Sequence, residues 1–187
     1  MLAHRYLVFL GFIIPGIILA FQVIRLKRQG QDLLGKPSID KFNFYTGKIT
    51  LGISWILFLY KAIYPDSGYI AVPPALSWIA VGFLWAGSVV ISIAIIDLGN
   101  GLKVGITNRP LQLKTNGIYR FSRNPLYVGA FLISLASGLY SPDLMNIAFI
   151  IYGICMHHQI ILGEEQFLSN RFGEEWERYR KSVRRYL

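Results

Sequence analysis

LKTNGIYRFSRNPLYVG, residues Leu113 to Gly129, is where glycine, arginine, asparagine, proline and tyrosine crowd together between two hydrophobic runs. It is too polar to cross a bilayer and too aromatic for a plain linker. Tyr119, Arg120, Arg123, Asn124 and Tyr127 stand beside strongly apolar sequence, and polar groups against an apolar wall are what a ligand pocket needs. The competing reading is a loop whose arginines only set membrane topology. The neighbours of the stretch therefore decide the fold.

Those neighbours belong to a membrane protein. Hydrophobic residues make up 53% of the chain and charged residues only 16%, against roughly 25% charge in a soluble domain. The apolar residues are also clustered. Tyr6–Ile24, Ile49–Tyr64, Ala75–Leu98, Pro125–Tyr140 and Leu144–Leu162 form five runs. The first and third are long enough to span about 30 Å of hydrocarbon as helices. Pro15 and Gly16 are tolerated inside a membrane helix. Lys61, near the end of the second run, can snorkel to the surface. Pro125 suits the first position of the fourth helix, and Ser141-Pro142-Asp143 leaves room only for a tight turn. The expectation is an all-α polytopic protein of about five transmembrane helices, the last two a tight hairpin. After Gly163 a charged segment with Phe167, Leu168, Phe172, Trp176 and Tyr179 reads as an amphipathic helix. It would lie on the membrane surface or fold over the polar segment. Residues 1–98 form the first three spans and residues 99–187 the core that carries the chemistry.

Charge placement orients the chain. Six Lys or Arg follow the first span, five follow the third and six follow the fifth, so seventeen of the nineteen fall on one side. The positive-inside rule then puts the N-terminus outside and the C-terminus in the cytoplasm. The net charge of +9 lies in short loops beside apolar runs. Topology and anionic lipid headgroups account for it better than nucleic acid does. Cys155 is the single cysteine, which excludes an internal disulfide and a multi-cysteine metal site.

Three constellations meet where the fourth and fifth spans reach the cytoplasm: Tyr119, Asn124, Pro125 and Tyr127; Glu164 with Glu165; and His157 with His158. Adjacent acids near tyrosines suit a bound cation, through charge balance and the aromatic face. The acids could instead be the first turn of the amphipathic helix, where the dipole favours them. Adjacent histidines point apart on a helix, and no H-E-x-x-H pattern is present, so a metal is not expected. The glycines at Gly99, Gly101 and Gly105 lack G-x-G-x-x-G spacing and follow no soluble strand, so a dinucleotide fold is rejected.

N-G-I-Y-R at Asn116–Arg120, R-N-P-L-Y-V-G at Arg123–Gly129, the pair Glu164-Glu165, and F-G-E-E-W-x-x-Y at Phe172–Tyr179 together resemble the isoprenylcysteine carboxyl methyltransferase family, in a wider group with the phospholipid N-methyltransferases. The resemblance covers roughly the last ninety residues. It implies a membrane methyltransferase that uses S-adenosyl-L-methionine. It also implies a cofactor pocket of Gln112, Leu113, Lys114, Tyr119, Asn124, Pro125, Leu126, Tyr127 and Glu164. The sulfonium of that cofactor is a cation, which gives Glu164 and the tyrosines a physical reason to be there. A lipophilic acceptor would enter from the bilayer, either an isoprenylcysteine-type carboxylate or a lipid amine. A carboxylate needs no base; an amine would use His158 or Glu165.

Two positions depart from the family pattern. Asn124 stands where the family usually has histidine, and it cannot become charged. The family's arginine before the glutamates is also missing; His157-His158-Gln159-Ile160 occupies that neighbourhood. The competing functions are an NADPH-dependent sterol-reductase-like membrane enzyme, which shares a similar R-H-P-x-Y block, and a non-catalytic membrane scaffold.

Overall fold

A computed structural model describes residues 3–31, 33–67, 70–106 and 112–187. Arg109, one of the basic residues counted above, lies outside the described residues. The helices are α1 (Ala3–Arg28), α2 (Lys41–Ile63), α3 (Pro74–Leu98), α4 (Pro125–Tyr140), α5 (Leu144–Phe172) and α6 (Glu174–Ser182). Short 3-10 turns occupy Gly99–Gly101 and Gly117–Arg120. Among the described residues there is no strand, only two isolated bridges. Segments His4–Arg28, Pro74–Gly101 and Leu144–Phe172 are long and apolar enough to cross a membrane, and α4 is apolar but shorter. The described residues are all-helical, as expected from the sequence, and three of the helices are of membrane-spanning length and hydropathy.

Helix boundaries differ from the hydropathy reading at two places. α2 starts at Lys41, ahead of its apolar run, because Asp40 caps it: Asp40 Oδ1 accepts from the Asn43 backbone N–H at 3.0 Å. Such a cap is worth about 1 kcal/mol. α5 does not stop near Gly163 but continues to Phe172. One glycine inside a helix costs only about 1 kcal/mol, and here it serves close packing. A Cβ at position 163 would lie 2.3 Å from the Ser38 carbonyl oxygen, and Ser38 Oγ donates to the Ile160 carbonyl at 3.1 Å. The chain breaks instead at Gly173, with φ +51°, and α6 turns back over the polar segment. Trp176 and Tyr179 are buried there, 2% and 6% exposed, and the Tyr179 hydroxyl donates to the Tyr119 carbonyl.

Small residues decide which helices pair. A Cβ on Gly87 would sit 2.6 Å from the Gly129 carbonyl, and one on Gly129 would sit 2.7 Å from the Gly87 carbonyl. α3 and α4 thus approach backbone to backbone, as membrane helices do over small residues. Gly47 and Gly153 perform the same service between α2 and α5, facing Met156 and Leu51. α4 and α5 are consecutive, yet α4 packs mainly on α3, and α5 mainly on α2. The core between them holds Val8, Phe58, Leu84, Ile133 and Ala136. Serine hydroxyls add interhelical bonds, including Ser54 to Ser137 at 2.9 Å.

Two connectors meet at one end of the bundle. Gly35 N–H donates to the Val104 carbonyl, and Lys36 N–H to the Ile106 carbonyl, both at 2.8 Å. Arg25 donates to the Asn100 side chain at 2.9 Å. This zipper gathers the C-terminal ends of α1 and α3 with the N-terminal ends of α2 and α4, where the organising stretch enters α4.

Candidate functional site

The site is built on a turn that α3 holds in place. Asp97, at the end of α3, accepts from the Ile118 backbone N–H at 2.7 Å. Gly117 beside it has φ +61°, and any Cβ there would lie 2.1 Å from the Asp97 carboxylate. Only glycine meets both demands. The turn presents Tyr119, which is buried, and its carbonyl accepts from the Tyr179 hydroxyl at 2.6 Å. Burial pushes the Tyr119 phenol well up, and pushes Tyr179 up to about 12. Both remain neutral phenols at ordinary pH.

α5 supplies two chemical edges. Residues seven apart lie nearly two turns on along one helical face. His157 and Glu164 therefore share an edge, and His158 and Glu165 share the next.

On the first edge, the Tyr127 hydroxyl donates to Glu164 and stands 3.0 Å from each carboxylate oxygen. The His157 ring meets the Tyr127 ring edge-on at 5.8 Å. His157 Nδ1–H donates to the Gly153 carbonyl at 2.7 Å, so its bare nitrogen is Nε2. α2 closes this edge: a Cβ on Gly47 would lie 3.8 Å from His157 Nδ1. The edge is thus a carboxylate, a phenol and an imidazole at the junction of three helices.

On the second edge, Glu165 is a clasp. Arg123 Nε and Nη2 donate to it at 3.1 and 3.2 Å. Arg185 Nε and Nη2 donate at 3.0 and 2.9 Å, and Asn124 Nδ2 donates at 3.0 Å. The Arg123 and Glu165 side chains are only 7% and 8% exposed. Arg123 also donates to the Val183 carbonyl at 2.6 Å, and its backbone N–H to the Arg184 carbonyl at 2.9 Å. Asn124 Nδ2 reaches the Arg185 carbonyl at 3.2 Å. The segment after α6 is therefore strapped across the start of α4, and the strap delivers the Tyr186 hydroxyl to His158 Nδ1 at 2.6 Å.

The structure brings Tyr119, Asn124, Pro125, Tyr127, His158, Glu164 and Glu165 to one end of α4 and α5. Leu126 packs instead toward Leu26, Ile95 and Leu102. Gln112 is exposed, with Leu113 and Lys114 half-buried, on the approach to the turn. Among the described residues no group of three or more His, Cys, Asp or Glu is placed to hold a metal ion. Sequence reasoning missed Arg185 and Tyr186. Their place depends on contacts with residues far away in the chain, and no local spacing encodes those.

Comparison with known proteins fits this arrangement. The phospholipid methyltransferase family profile matches residues 74–175, more than half of the chain and both helices of the site. The chain belongs to the phospholipid methyltransferase family. Among individual relatives, this family member is 32% identical over 108 residues to Protein-S-isoprenylcysteine O-methyltransferase of Schizosaccharomyces pombe, covering 56% of the chain and 46% of that protein. It is 32% identical over 77 residues to Methanethiol S-methyltransferase of Crocosphaera subtropica, covering 40% of the chain and 28% of that protein. The chain spans less than half the length of these curated relatives. The isoprenylcysteine-type resemblance read from the organising stretch and the doubled glutamate is thus the resemblance the comparisons find.

Proposed function

We propose that this chain is an integral membrane methyltransferase that takes its methyl group from S-adenosylmethionine and gives it to a lipophilic acceptor. The observation that carries the reading is the Tyr127–Glu164 pair at the junction of α4 and α5. A carboxylate oriented by a phenol, with aromatic faces beside it, suits a cation too large and soft for a metal site. The cofactor supplies an electrophilic methyl group on a positively charged sulfur. Glu164 would balance that charge. Tyr127 would hold the carboxylate in place, and Tyr119 with the backbone of Asn124–Tyr127 would wall the pocket. Gln112, Leu113 and Lys114 would close it from the approach segment. Glu165 serves by positioning Arg123, Asn124 and the strap. His158 is the residue placed to accept a proton from an acceptor that carries one.

The relatives' names put the accepting atom at oxygen in one and at sulfur in the other, and the family name points to phospholipid. Their common ground is a methyl acceptor of low polarity. The two connectors meet at one end of the bundle, and the excess of Lys and Arg in them is the ground for reading five spans with the N-terminus outside and the site on the cytoplasmic face.

The test is Glu164→Gln in detergent-purified protein. Loss of a charge-assisted contact of about 1.5–3 kcal/mol weakens cofactor affinity by roughly 10- to 100-fold. Titration calorimetry with S-adenosylmethionine reads it. Near-normal affinity in the variant refutes the assignment.

A further inference from the structure

At the end of the bundle away from Tyr127 and Glu164, the start of α1, the end of α2, the start of α3 and the end of α4 lie together. Of the nineteen lysines and arginines, only Arg5 and Lys61 belong to this end. Lys61 is buried and already engaged, donating to the Ser67 carbonyl. Arg5 is not. It sits one turn ahead of Val8 on α1, on the face that packs into the core with Phe58 and Tyr140. Its Nε is shut off from solvent and has no hydrogen-bond partner. The Tyr140 hydroxyl is in the same state, in a residue only 3% exposed.

Two inward donors therefore lack an acceptor. A guanidinium N–H can only donate, and the phenol does not accept from it. Leaving such groups unpaired is costly. The surroundings indicate what would pair them. The His4 ring stands 5.9 Å from that of Tyr140 and 6.0 Å from that of Trp78, so an aromatic rim lies over the two donors. Trp78 and Tyr6 are exposed, and such rings at a helix end belong at headgroup level. The anion found at that level is the lipid phosphate, whose oxygens match the guanidinium fork. Water would satisfy the hydroxyl but would leave the charge of Arg5 unbalanced.

We infer that Arg5 and Tyr140 form a binding site for a lipid phosphate, at the opposite end of the bundle from the methyl-transfer site. Arg5 is half-buried, so the outer edge of its guanidinium is reached from the bilayer. The phosphate oxygens accept from that guanidinium, and the Tyr140 hydroxyl adds a second donor. His4 and Trp78 form the rim against which the headgroup rests. Arg5 belongs to α1 and Tyr140 to α4, so a phosphate held by both clips the two helices together. The lipid here is a structural ligand and undergoes no chemistry, and the site does not depend on the methyltransferase reading.

The experiment titrates the full chain, in a neutral detergent, with three probes. They are dioctanoyl phosphatidylglycerol, dioctanoylglycerol, which lacks the phosphate, and inorganic phosphate, which lacks the tails. Trp78 emission is the local readout, with Trp78→Phe as the background to subtract, and the melting temperature is the global one. Phosphatidylglycerol shifts the emission saturably and raises the melting temperature, and dioctanoylglycerol does neither. Inorganic phosphate needs a concentration about ten-fold higher or more, because it has no apolar tails to bury. Arg5→Gln raises the half-saturating lipid concentration about ten-fold or more, the loss of a charge-assisted bond. Tyr140→Phe raises it about three-fold or more, the loss of a neutral one. Tyr140→Phe keeps its ring against Phe58, 4.8 Å away, and so decides the matter should Arg5→Gln fail to fold. Lys181→Gln makes the same charge change at an exposed position on α6 and leaves lipid binding unchanged. An equal response to dioctanoylglycerol, an unaltered half-saturation in Arg5→Gln or Tyr140→Phe, or an equal loss in Lys181→Gln overturns the site. Inorganic phosphate as effective as the lipid overturns the lipid as its occupant. Calorimetric affinity for S-adenosylmethionine, measured on Arg5→Gln, stays at the wild-type value, so this inference and the methyltransferase reading fail separately.

Discussion

Glu165→Ala is the perturbation that most directly tests how the site is assembled. The substitution removes the acceptor for two guanidinium groups and one amide. Arg123 is the costly orphan, because its side chain is 7% exposed and water cannot replace the lost partner. Removing one member of a buried ion pair costs about 3–5 kcal/mol. Arg185 is 35% exposed, so solvent screens it and its share is small. At ~2–4 °C per kcal/mol for a chain of this length, the melting temperature falls by roughly 10 °C. The emission of Trp176 is a local probe, since Arg123 lies 5.7 Å over its ring, and a thermal melt in detergent gives the global value. Arg185→Ala is the control. It keeps the buried Arg123–Glu165 pair and costs about 1 kcal/mol or less. If Glu165→Ala melts within roughly 2 °C of the wild type, or if the two variants cost the same, the clasp is not what holds the strap.

Three other outcomes follow from the geometry. Gly129→Val drives a side chain into the Gly87 carbonyl and destabilises the bundle by about 1–3 kcal/mol or more, read as a lowered melting temperature; a neutral effect would mean that α3 and α4 are further apart. Gly117→Ala meets both the Asp97 carboxylate and a φ of +61°, so it weakens cofactor affinity by displacing Tyr119, while Gly16→Ala, which meets open space, does not. Burial holds Tyr179 protonated up to about 12, above the ordinary phenol value near 10. Its stabilising share is therefore full below about pH 10 and is lost as pH rises through about 12. Alkaline unfolding followed by near-ultraviolet circular dichroism is shallower in Tyr179→Phe, and an unchanged slope would contradict the burial.

Much of the site was legible in local sequence because its parts announce themselves locally. Pro125 opens α4 where the proline pointed. The blocks around Tyr127 and Glu164 are each weak alone, and only together and in order do they carry the resemblance that named the family. Helix ends were less legible where packing outweighed composition. Gly163 looks like a break until Ser38 is seen against it, and Lys41 looks like linker until Asp40 is seen capping it.

Hydropathy alone determined that this chain enters a membrane as helices, because burial in lipid depends on runs of side chains and not on their partners. It could not determine that α4 seeks α3 while α5 seeks α2. That choice rests on where small residues from distant segments fall opposite one another. Nor could it show that Glu164 and Glu165, neighbours in the chain, face different chemistry. One helical step of about 100° turns the first toward Tyr127 and the second toward two arginines. Only the folded backbone decides what waits in each direction.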